Sequence, residues 1–134
     1  MKKKIYSLKD LEKKLFNLKK NKKIVLCHGV FDTIHSGHIE YFKAAKKYGD
    51  ILVVTLTSDE FVNKGFSRPY YGIKQRMNVV SSLSIVDYVA KSNDLSSLNI
   101  INTLKPNFYI KGKDYKNFKD DLTGEIKNEI KILK

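Results

Sequence analysis

The sequence predicts an open parallel α/β sheet, and three observations point to that fold class. Two short apolar runs, Ile24–Cys27 and Ile51–Leu56, have the length of strands that are buried on both faces. A stretch with helical spacing, 37–47, separates them, and two parallel strands need such a crossover. The alternation of strand-like and helix-like segments then continues to about residue 110. A chain of 134 residues is long enough for one such domain but not for two.

The other elements follow in order along the chain. Ser7 and Asp10 resemble a capping box, and the leucines after them recur at helical spacing, which predicts an amphipathic helix over 8–20. Gly49 ends the helix over 37–47. Further on, we predict a short helix over 58–63, a loop over 64–69, a helix over 73–83, a strand over Ile85–Ala90, a helix over 95–104, a strand over Phe108–Ile110, a polar loop over 114–121 and a last helix over 122–133. The basic helical segment 1–21 thus precedes one α/β domain over 22–134.

The net charge of +12 raises the question of nucleic-acid binding. Most of this excess of positive charge lies in residues 1–23, which contain ten lysines and only two acidic residues, Asp10 and Glu12. Arginine occurs only at Arg68 and Arg76, whereas proteins that read base sequence rely on arginine forks. We therefore expect no specific nucleic-acid partner. The lysines are better explained as solvated surface residues that attract small anionic ligands.

The composition also indicates the cell compartment of the protein. No apolar run approaches the roughly 20 residues that a membrane span needs, and the lysine-rich start lacks the apolar region of a secretory leader. The single cysteine, Cys27, lies inside an apolar strand, where a small buried hydrophobe is a better interpretation than a nucleophile. These features predict a cytoplasmic protein with no membrane contact.

The segment His35-Ser36-Gly37-His38, which follows Gly29-Val30-Phe31-Asp32, is the main candidate site. An apolar strand leads into a glycine turn, and two imidazoles then fall on the first turn of a helix, three residues apart and on one face. The backbone N–H groups and the positive dipole end of that helix favour an anion. Two other interpretations stay open: the histidines could be part of a metal site that lacks an evident third ligand, and Asp32 could only cap a turn.

Further polar residues follow the predicted strands, and in a parallel sheet they meet at one edge. His28 follows the first strand and Ser58 and Asp59 follow the second, whereas Lys111 and Asp114 follow the fourth. A crevice with imidazoles, lysines and a few carboxylates favours a polyphosphate with a counter-ion such as Mg²⁺. Gly29 alone is no dinucleotide fingerprint, and the chain has neither a P-loop nor a Ser-His-Asp arrangement.

Gly29-Val30-Phe31-Asp32 and His35-Ser36-Gly37-His38 together resemble the signature of the cytidylyltransferase-like nucleotidyltransferases. The resemblance covers about residues 22–130. It includes Ser58-Asp59-Glu60-Phe61, Lys64-Gly65, Arg68-Pro69, Gln75-Arg76, Val86-Asp87 and Lys111-Gly112-Lys113-Asp114-Tyr115, all in family order. The nearest branch is the nucleotidyltransferase domain of ADP-heptose synthase and related sugar-phosphate enzymes. The implied fold is a Rossmann-like three-layer α/β/α open parallel sheet of the HxGH nucleotidyltransferase type.

The resemblance implies a direct nucleotidyl transfer. A substrate phosphate attacks the α-phosphate of CTP or ATP and pyrophosphate leaves, with Mg²⁺ as the cofactor. The acceptor would be a phosphorylated sugar or polyol resembling heptose 1-phosphate. Glycerol 3-phosphate is disfavoured, because its cytidylyltransferase has an arginine where this chain has Ser84. The implied partners are these substrates, a second copy of the chain in a homodimer, and a sugar kinase that is fused to it or works with it.

The resemblance also implies a role for each matching residue. The catalytic residues would be His35, His38, Lys64 and Arg76, of which the histidines stabilise charge and the two cations hold anions. The nucleotide would be bound by Gly29, Val30, Phe31, Asp32, Gly37, His38, Lys111, Gly112, Asp114 and Tyr115, with Asp114 and Tyr115 beside the base. No residue is expected to bind a metal directly.

One departure concerns the C-terminal part. The family has a Ser/Thr-rich segment there that opens a helix and holds the triphosphate, whereas this chain has only Thr123-Gly124 before a charged stretch. We therefore expect the domain to be C-terminally incomplete and its sheet to lack the last strand. The alternative to an active enzyme is a non-catalytic nucleotide- or phosphosugar-binding module, or an inactive fragment of a larger enzyme.

Overall fold

A computed structural model describes residues 3–62, 69–93 and 97–111, and the described strands form one parallel sheet. The strands β1 (Ile24–Gly29), β2 (Ile51–Thr57), β3 (Tyr88–Ser92) and β4 (Phe108–Tyr109) lie in the order β3-β2-β1-β4. The helices are α1 (Leu8–Leu18), α2 (Ser36–Lys46), α3 (Ile73–Ser81) and α4 (Leu98–Leu104), and a 3₁₀ turn covers Asp59–Phe61. The predicted open parallel α/β sheet is confirmed.

Burial on both faces explains the apolar sequence of the central strands. All seven residues of β2 are buried. This strand pairs with β1 from Ile24↔Ile51 to Gly29↔Leu56, and with β3 from Val53↔Tyr88 to Thr57↔Ser92. A strand that is covered above and below must be apolar at nearly every position, so it shows a continuous run instead of alternation.

Two helical layers cover the sheet. Phe42 and Ala45 of α2 and Val80 of α3 pack with Val25 and Leu52 on one face. On the other face, four helical side chains pack with Ile24 and Val53: Leu11 and Leu15 of α1, and Ile100 and Leu104 of α4. Side chains from α1 and α4 thus share the core of the sheet, and the three-layer α/β/α prediction is confirmed.

The N-terminal segment covers the outer edge of β3. The Tyr6 N–H donates to the Val89 carbonyl, and the Val89 N–H donates to the Lys4 carbonyl, both at 2.9 Å. Ser7 then caps α1, because its hydroxyl accepts the Asp10 N–H at 3.1 Å. A paired edge exposes fewer unpaired backbone groups, which would otherwise attract another strand.

Several boundaries differ from the sequence prediction. β3 begins at Tyr88 and not at Ile85, because a turn precedes it in which the Asp87 carboxylate accepts the Leu52 N–H at 2.8 Å and pairs with Lys46. β1 and β2 extend beyond their predicted ends, so His28 and Thr57 lie within strands. The predicted short helix over 58–63 is a 3₁₀ turn of three residues. The predicted loop over 114–121 and helix over 122–133 lie outside the described residues.

The strand order determines where a ligand can enter. From β1, the next two strands along the chain, β2 and β3, lie successively outward on one side, and β4 then pairs with the other side of β1. The order of strands therefore reverses at β1, and open α/β sheets bind ligands in the crevice at the carboxyl end of such a point. The loop after Gly29 lies there.

The described helices are short. The longest, α1 and α2, have 11 residues each, whereas a bilayer span needs about 20. In the described part of the chain, no helix is both long enough and apolar enough to cross a membrane.

Candidate active site

A tight turn after β1 directs the chain into α2. Phe31 has a φ of 51°, in the left-handed region that non-glycine residues rarely adopt, and its ring packs edge-on against Phe42 with the centroids 5.2 Å apart. The ring also lies over Gly29, where a Cβ atom would come within 2.9 Å of the Phe31 Cζ atom. Gly29 and the buried Phe31 therefore fix the path by which the strand reaches the helix.

His35 and His38 meet at the start of α2, with their ring centroids 4.2 Å apart. The helix begins at Ser36, so His35 is its N-cap residue and does not lie in the first turn as the spacing predicted. The His35 Nδ1 atom accepts the Gly37 N–H at 3.0 Å, and the His38 Nδ1 atom accepts the His35 N–H at 3.2 Å. The two imidazoles form a reciprocal capping box, in which ring nitrogens accept the bonds that side-chain oxygens usually accept.

This capping determines the tautomer of both rings. A neutral imidazole has one donor and one acceptor nitrogen, and in each ring Nδ1 is the acceptor. The proton of each neutral ring is therefore on Nε2, which is an N–H donor. A side chain at position 37 would displace the His35 ring from this arrangement, because a Cβ atom there would lie 2.7 Å from the Cε1 atom of His35. Two Nε2–H donors at the positive end of an 11-residue helix are the kind of groups that favour an anion.

Asp32 connects this turn to the segment before α3. Its carboxylate accepts the Tyr70 N–H at 2.7 Å and the Tyr71 N–H at 2.9 Å, one on each oxygen. Asp32 therefore holds the backbone of Tyr70 and Tyr71 against the loop that carries the histidines. Its predicted contact with the nucleotide stays a prediction.

Arg76 is buried beside the turn and bonded to the protein itself. The residue is only 1% exposed, and its guanidinium donates to the carbonyls of Val30 (2.9 Å), Thr57 (2.7 Å) and Tyr71 (2.9 Å). It also pairs with the Asp59 carboxylate at 2.5 Å. These bonds make Arg76 a positioning residue for the segments that it joins, and its predicted contact with an anion stays a prediction.

His28 is a further imidazole at the carboxyl end of β1. Its Nδ1 atom lies 2.9 Å from the Thr55 hydroxyl, and its Nε2 atom lies 3.4 Å from the Thr57 hydroxyl. Burial lowers the pKa of His28 below its ordinary value of 6.5, and the hydrogen bond to Thr55 opposes that shift. His28 is therefore neutral near pH 7, and it packs on the face of the sheet that α1 and α4 cover.

Cys27 agrees with its sequence interpretation. The side chain is fully buried, and burial raises the pKa of its thiol to about 12. A thiol with such a pKa is inert at neutral pH, because the thiolate is the nucleophile.

Of the other predicted site residues, Lys111 follows Ile110, whose N–H donates to the Leu26 carbonyl at 3.0 Å. Lys111 therefore lies at the same carboxyl edge of the sheet as Gly29. Lys64, Gly112, Asp114 and Tyr115 lie outside the described residues. Among the described residues, no group of three or more His, Cys, Asp or Glu side chains could hold a metal ion. Those residues therefore add no third ligand of these types to the two histidines.

A cleft of about 320 Å³ lies between the turn after β1 and helix α3. Its walls are formed by Phe31, Asp32, Thr33, Ile34, Tyr71, Gln75, Arg76 and Val79. Sequence reasoning missed half of these residues, since Thr33, Ile34, Tyr71 and Val79 match no pattern of spacing. It had singled out Phe31, Asp32 and the pair Gln75-Arg76, but gave no sign that they line one cleft.

Comparisons with known proteins show which family the chain resembles. A family model described as "Cytidylyltransferase-like" matches residues 26–132. The bifunctional protein HldE of Campylobacter concisus is 38% identical over 132 residues, which are 97% of this chain and 28% of that protein. HldE of Helicobacter pylori strain J99 is 41% identical over 126 residues, which are 92% of this chain and 27% of that protein. The chain thus spans little more than a quarter of the length of these relatives.

Two solved structures share the fold. A lipopolysaccharide core biosynthesis protein from Thermoplasma volcanium superposes with a TM-score of 0.62 at 30% identity, covering 66% of this chain and 73% of that one. Pantoate-beta-alanine ligase from Francisella tularensis gives a TM-score of 0.57 at 20% identity, over 81% of this chain and 56% of that one. The second likeness concerns the fold alone, and together they confirm a Rossmann-like nucleotidyltransferase fold.

Proposed function

Because this chain belongs to the cytidylyltransferase-like family, we propose that it transfers CMP or AMP from CTP or ATP to a phosphorylated sugar or polyol and releases pyrophosphate. The observation that carries the proposal is the pair of imidazoles that cap α2 with their Nδ1 atoms. Their Nε2–H groups supply two donors for phosphate oxygens at a helix start. The family match supports nucleotidyl transfer as the reaction class. The identity of the acceptor is proposed in addition.

The reaction needs no strong base. An oxygen of the acceptor phosphate, already anionic at neutral pH, attacks the α-phosphorus of the nucleotide. The bond from that phosphorus to the bridging oxygen breaks, and pyrophosphate leaves with the electron pair. Catalysis then consists of positioning and of stabilising the charge that develops on the phosphate oxygens. His35 and His38 would do this through Nε2–H, and removing one such donor typically costs about 10²–10³ in rate.

Mg²⁺ is proposed to arrive with the triphosphate. The described residues offer no cluster of metal ligands, and the Asp32 and Asp59 carboxylates are already bonded to backbone N–H groups and to Arg76. That donor set fits an ion held mainly by phosphate oxygens and water, which is how Mg²⁺ is commonly bound. Bound in this way, it would neutralise charge on the phosphates.

The remaining site assignments are part of the same proposal. Asp32, Phe31 and Val30 would shape the turn, and Arg76 would hold it in place from beneath. Contact with the nucleotide or its phosphates is proposed for Gly29, Gly37, Lys64, Lys111, Gly112, Asp114 and Tyr115. Likeness to proteins named bifunctional HldE supports a heptose 1-phosphate acceptor and a sugar kinase that supplies it. A homodimer is also proposed.

The test combines the full chain with Mg²⁺ and with CTP or ATP, and offers heptose 1-phosphate or glycerol 3-phosphate as acceptor. We expect a sugar nucleotide in the phosphorus NMR spectrum, together with one pyrophosphate per product. Formation should require the sugar phosphate and one of the two nucleotides. Binding of nucleotide and sugar phosphate without product would contradict the transferase proposal and favour a non-catalytic binding module.

A further inference from the structure

The cleft beside α3 is suited to an uncharged group. Its two ionic residues are already engaged, because Asp32 accepts two backbone N–H groups and Arg76 donates to three carbonyls and Asp59. The other lining side chains are all neutral. A phosphate placed there would lose its water and find no cation, which is costly. The ligand group that fits this cleft therefore carries no charge.

The neutral lining has both polar and apolar parts. The Thr33 hydroxyl and the Gln75 amide can donate and accept hydrogen bonds, and within the described residues neither makes a side-chain hydrogen bond to the rest of the chain. Tyr71, Ile34 and Val79 supply apolar surface, and Tyr71 and Val79 are 44% and 43% exposed. A group with several hydroxyls and with C–H faces matches such walls. The volume of about 320 Å³ is at the small end of ligand sites, which suits one ring or a short polyol.

The cleft also adjoins the anion site. Phe31 lines the cleft, and its ring centroid lies 5.7 Å from that of His38. Thr33 and Ile34 are the two residues directly before the capping residue His35. An acceptor whose phosphate contacts the histidines would therefore have its uncharged part directed toward α3.

We propose that this cleft binds the sugar or polyol part of the phosphorylated acceptor, with Gln75 and Thr33 bonding its hydroxyls and Val79 closing one side. This inference rests on the proposed nucleotidyl transfer, and it adds where the acceptor lies and which residues select it. The cleft is accordingly a specificity site, separate from the phosphate contacts at His35 and His38.

The test uses amide NMR spectra of the full chain with three probes: heptose 1-phosphate, inorganic phosphate and ATP. Heptose 1-phosphate should shift the Gln75 side-chain amide and the Val79 backbone amide, whereas inorganic phosphate should shift only amides near His35. Val79→Phe, which fills the cleft, should weaken heptose 1-phosphate binding about tenfold or more and leave phosphate binding within about twofold. Asn78→Phe is the matched control, because Asn78 is exposed on the same helix and does not line the cleft.

The outcomes separate this inference from the proposed function. Turnover with an acceptor affinity that Val79→Phe leaves unchanged would overturn the inference and leave the transferase standing. Binding of heptose 1-phosphate in the cleft without turnover would support the inference and contradict the transferase. A Gln75 shift caused by ATP and not by the sugar phosphate would assign the cleft to a nucleobase and overturn the inference. Failure of both heptose 1-phosphate and glycerol 3-phosphate to bind would overturn the inference and the proposed function together.

Discussion

Replacing Arg76 by methionine tests whether this residue holds the loops or binds an anion. Methionine has a similar length but no donor, so the Val30, Thr57 and Tyr71 carbonyls each lose a hydrogen bond. The bond to Thr57 is buried and the other two are partly buried. An unpaired acceptor costs about 2–3 kcal/mol when buried and about 1 kcal/mol when partly exposed. Because Asp59 is half exposed, its ion pair adds little.

The expected loss is therefore about 4–5 kcal/mol of the free energy of unfolding, out of a total that is about 5–15 kcal/mol for a domain. For a chain of this size, that corresponds to a fall in Tm of roughly 12–20 °C. Urea unfolding followed by circular dichroism measures it. Arg76→Lys should recover only a part, since lysine cannot reproduce the fork of donors. Lys74→Met on the exposed side of the same helix is the control and should change stability by less than about 0.5 kcal/mol.

A different outcome would indicate that Arg76 contacts an anion. If the free energy of unfolding of Arg76→Met lay within about 1 kcal/mol of that of the unaltered chain but the variant lost nucleotidyl transfer, the guanidinium would act on a ligand anion and not on the loops. That outcome would contradict the positioning role and favour the direct contact that the sequence predicted.

Three further predictions follow from the site. His35→Asn should keep the helix cap and its stability but slow transfer about 10²–10³-fold. His35→Ala should slow transfer equally and also lower the free energy of unfolding by about 1 kcal/mol. Unchanged transfer by His35→Asn would exclude an Nε2 donor at this position. Since burial lowers the pKa of His28 below 6.5, the unfolded chain binds more protons than the folded one just below that pH. The free energy of unfolding should therefore fall as the pH drops from about 7 to 5.5, and His28→Asn should reduce that slope in urea titrations; an unchanged slope would mean that His28 is not the cause. Because the Cys27 thiol has a pKa of about 12, a maleimide should label it only after unfolding in urea, and fast labelling of the native chain would contradict its burial.

Much of the fold could be predicted because its determinants are local. Buried parallel strands are apolar at every position, so β1 and β2 were visible as runs, and leucines at helical spacing identified α1. The start of β3 was predicted three residues too early, because Ile85 is as apolar as a strand residue but belongs to the turn that Asp87 anchors. Apolar character reports burial and does not distinguish a strand from the packed turn before it.

The site was predictable where a side chain acts through its own chemistry. The pair His35 and His38 was found from spacing, and only their exact relation to the helix start was missed, since helix boundaries carry an uncertainty of one or two residues in any assignment. The contacts that Arg76 makes within the protein could not be predicted, because its partners are mostly backbone carbonyls. Every residue has a carbonyl, so no residue type or spacing in the sequence marks them. The walls of the cleft come together only through tertiary packing.

The proposed function rests on the claim that the imidazoles capping α2 take part in nucleotidyl transfer. The most direct measurement compares pyrophosphate release by the unaltered full chain and by His38→Ala, with CTP or ATP and heptose 1-phosphate, beside the urea unfolding of both. We predict release that depends on the sugar phosphate, a loss of about 10²–10³-fold in His38→Ala, and free energies of unfolding within about 1 kcal/mol. Equal rates in the two proteins, or a rate lost only because His38→Ala unfolds, would contradict the claim.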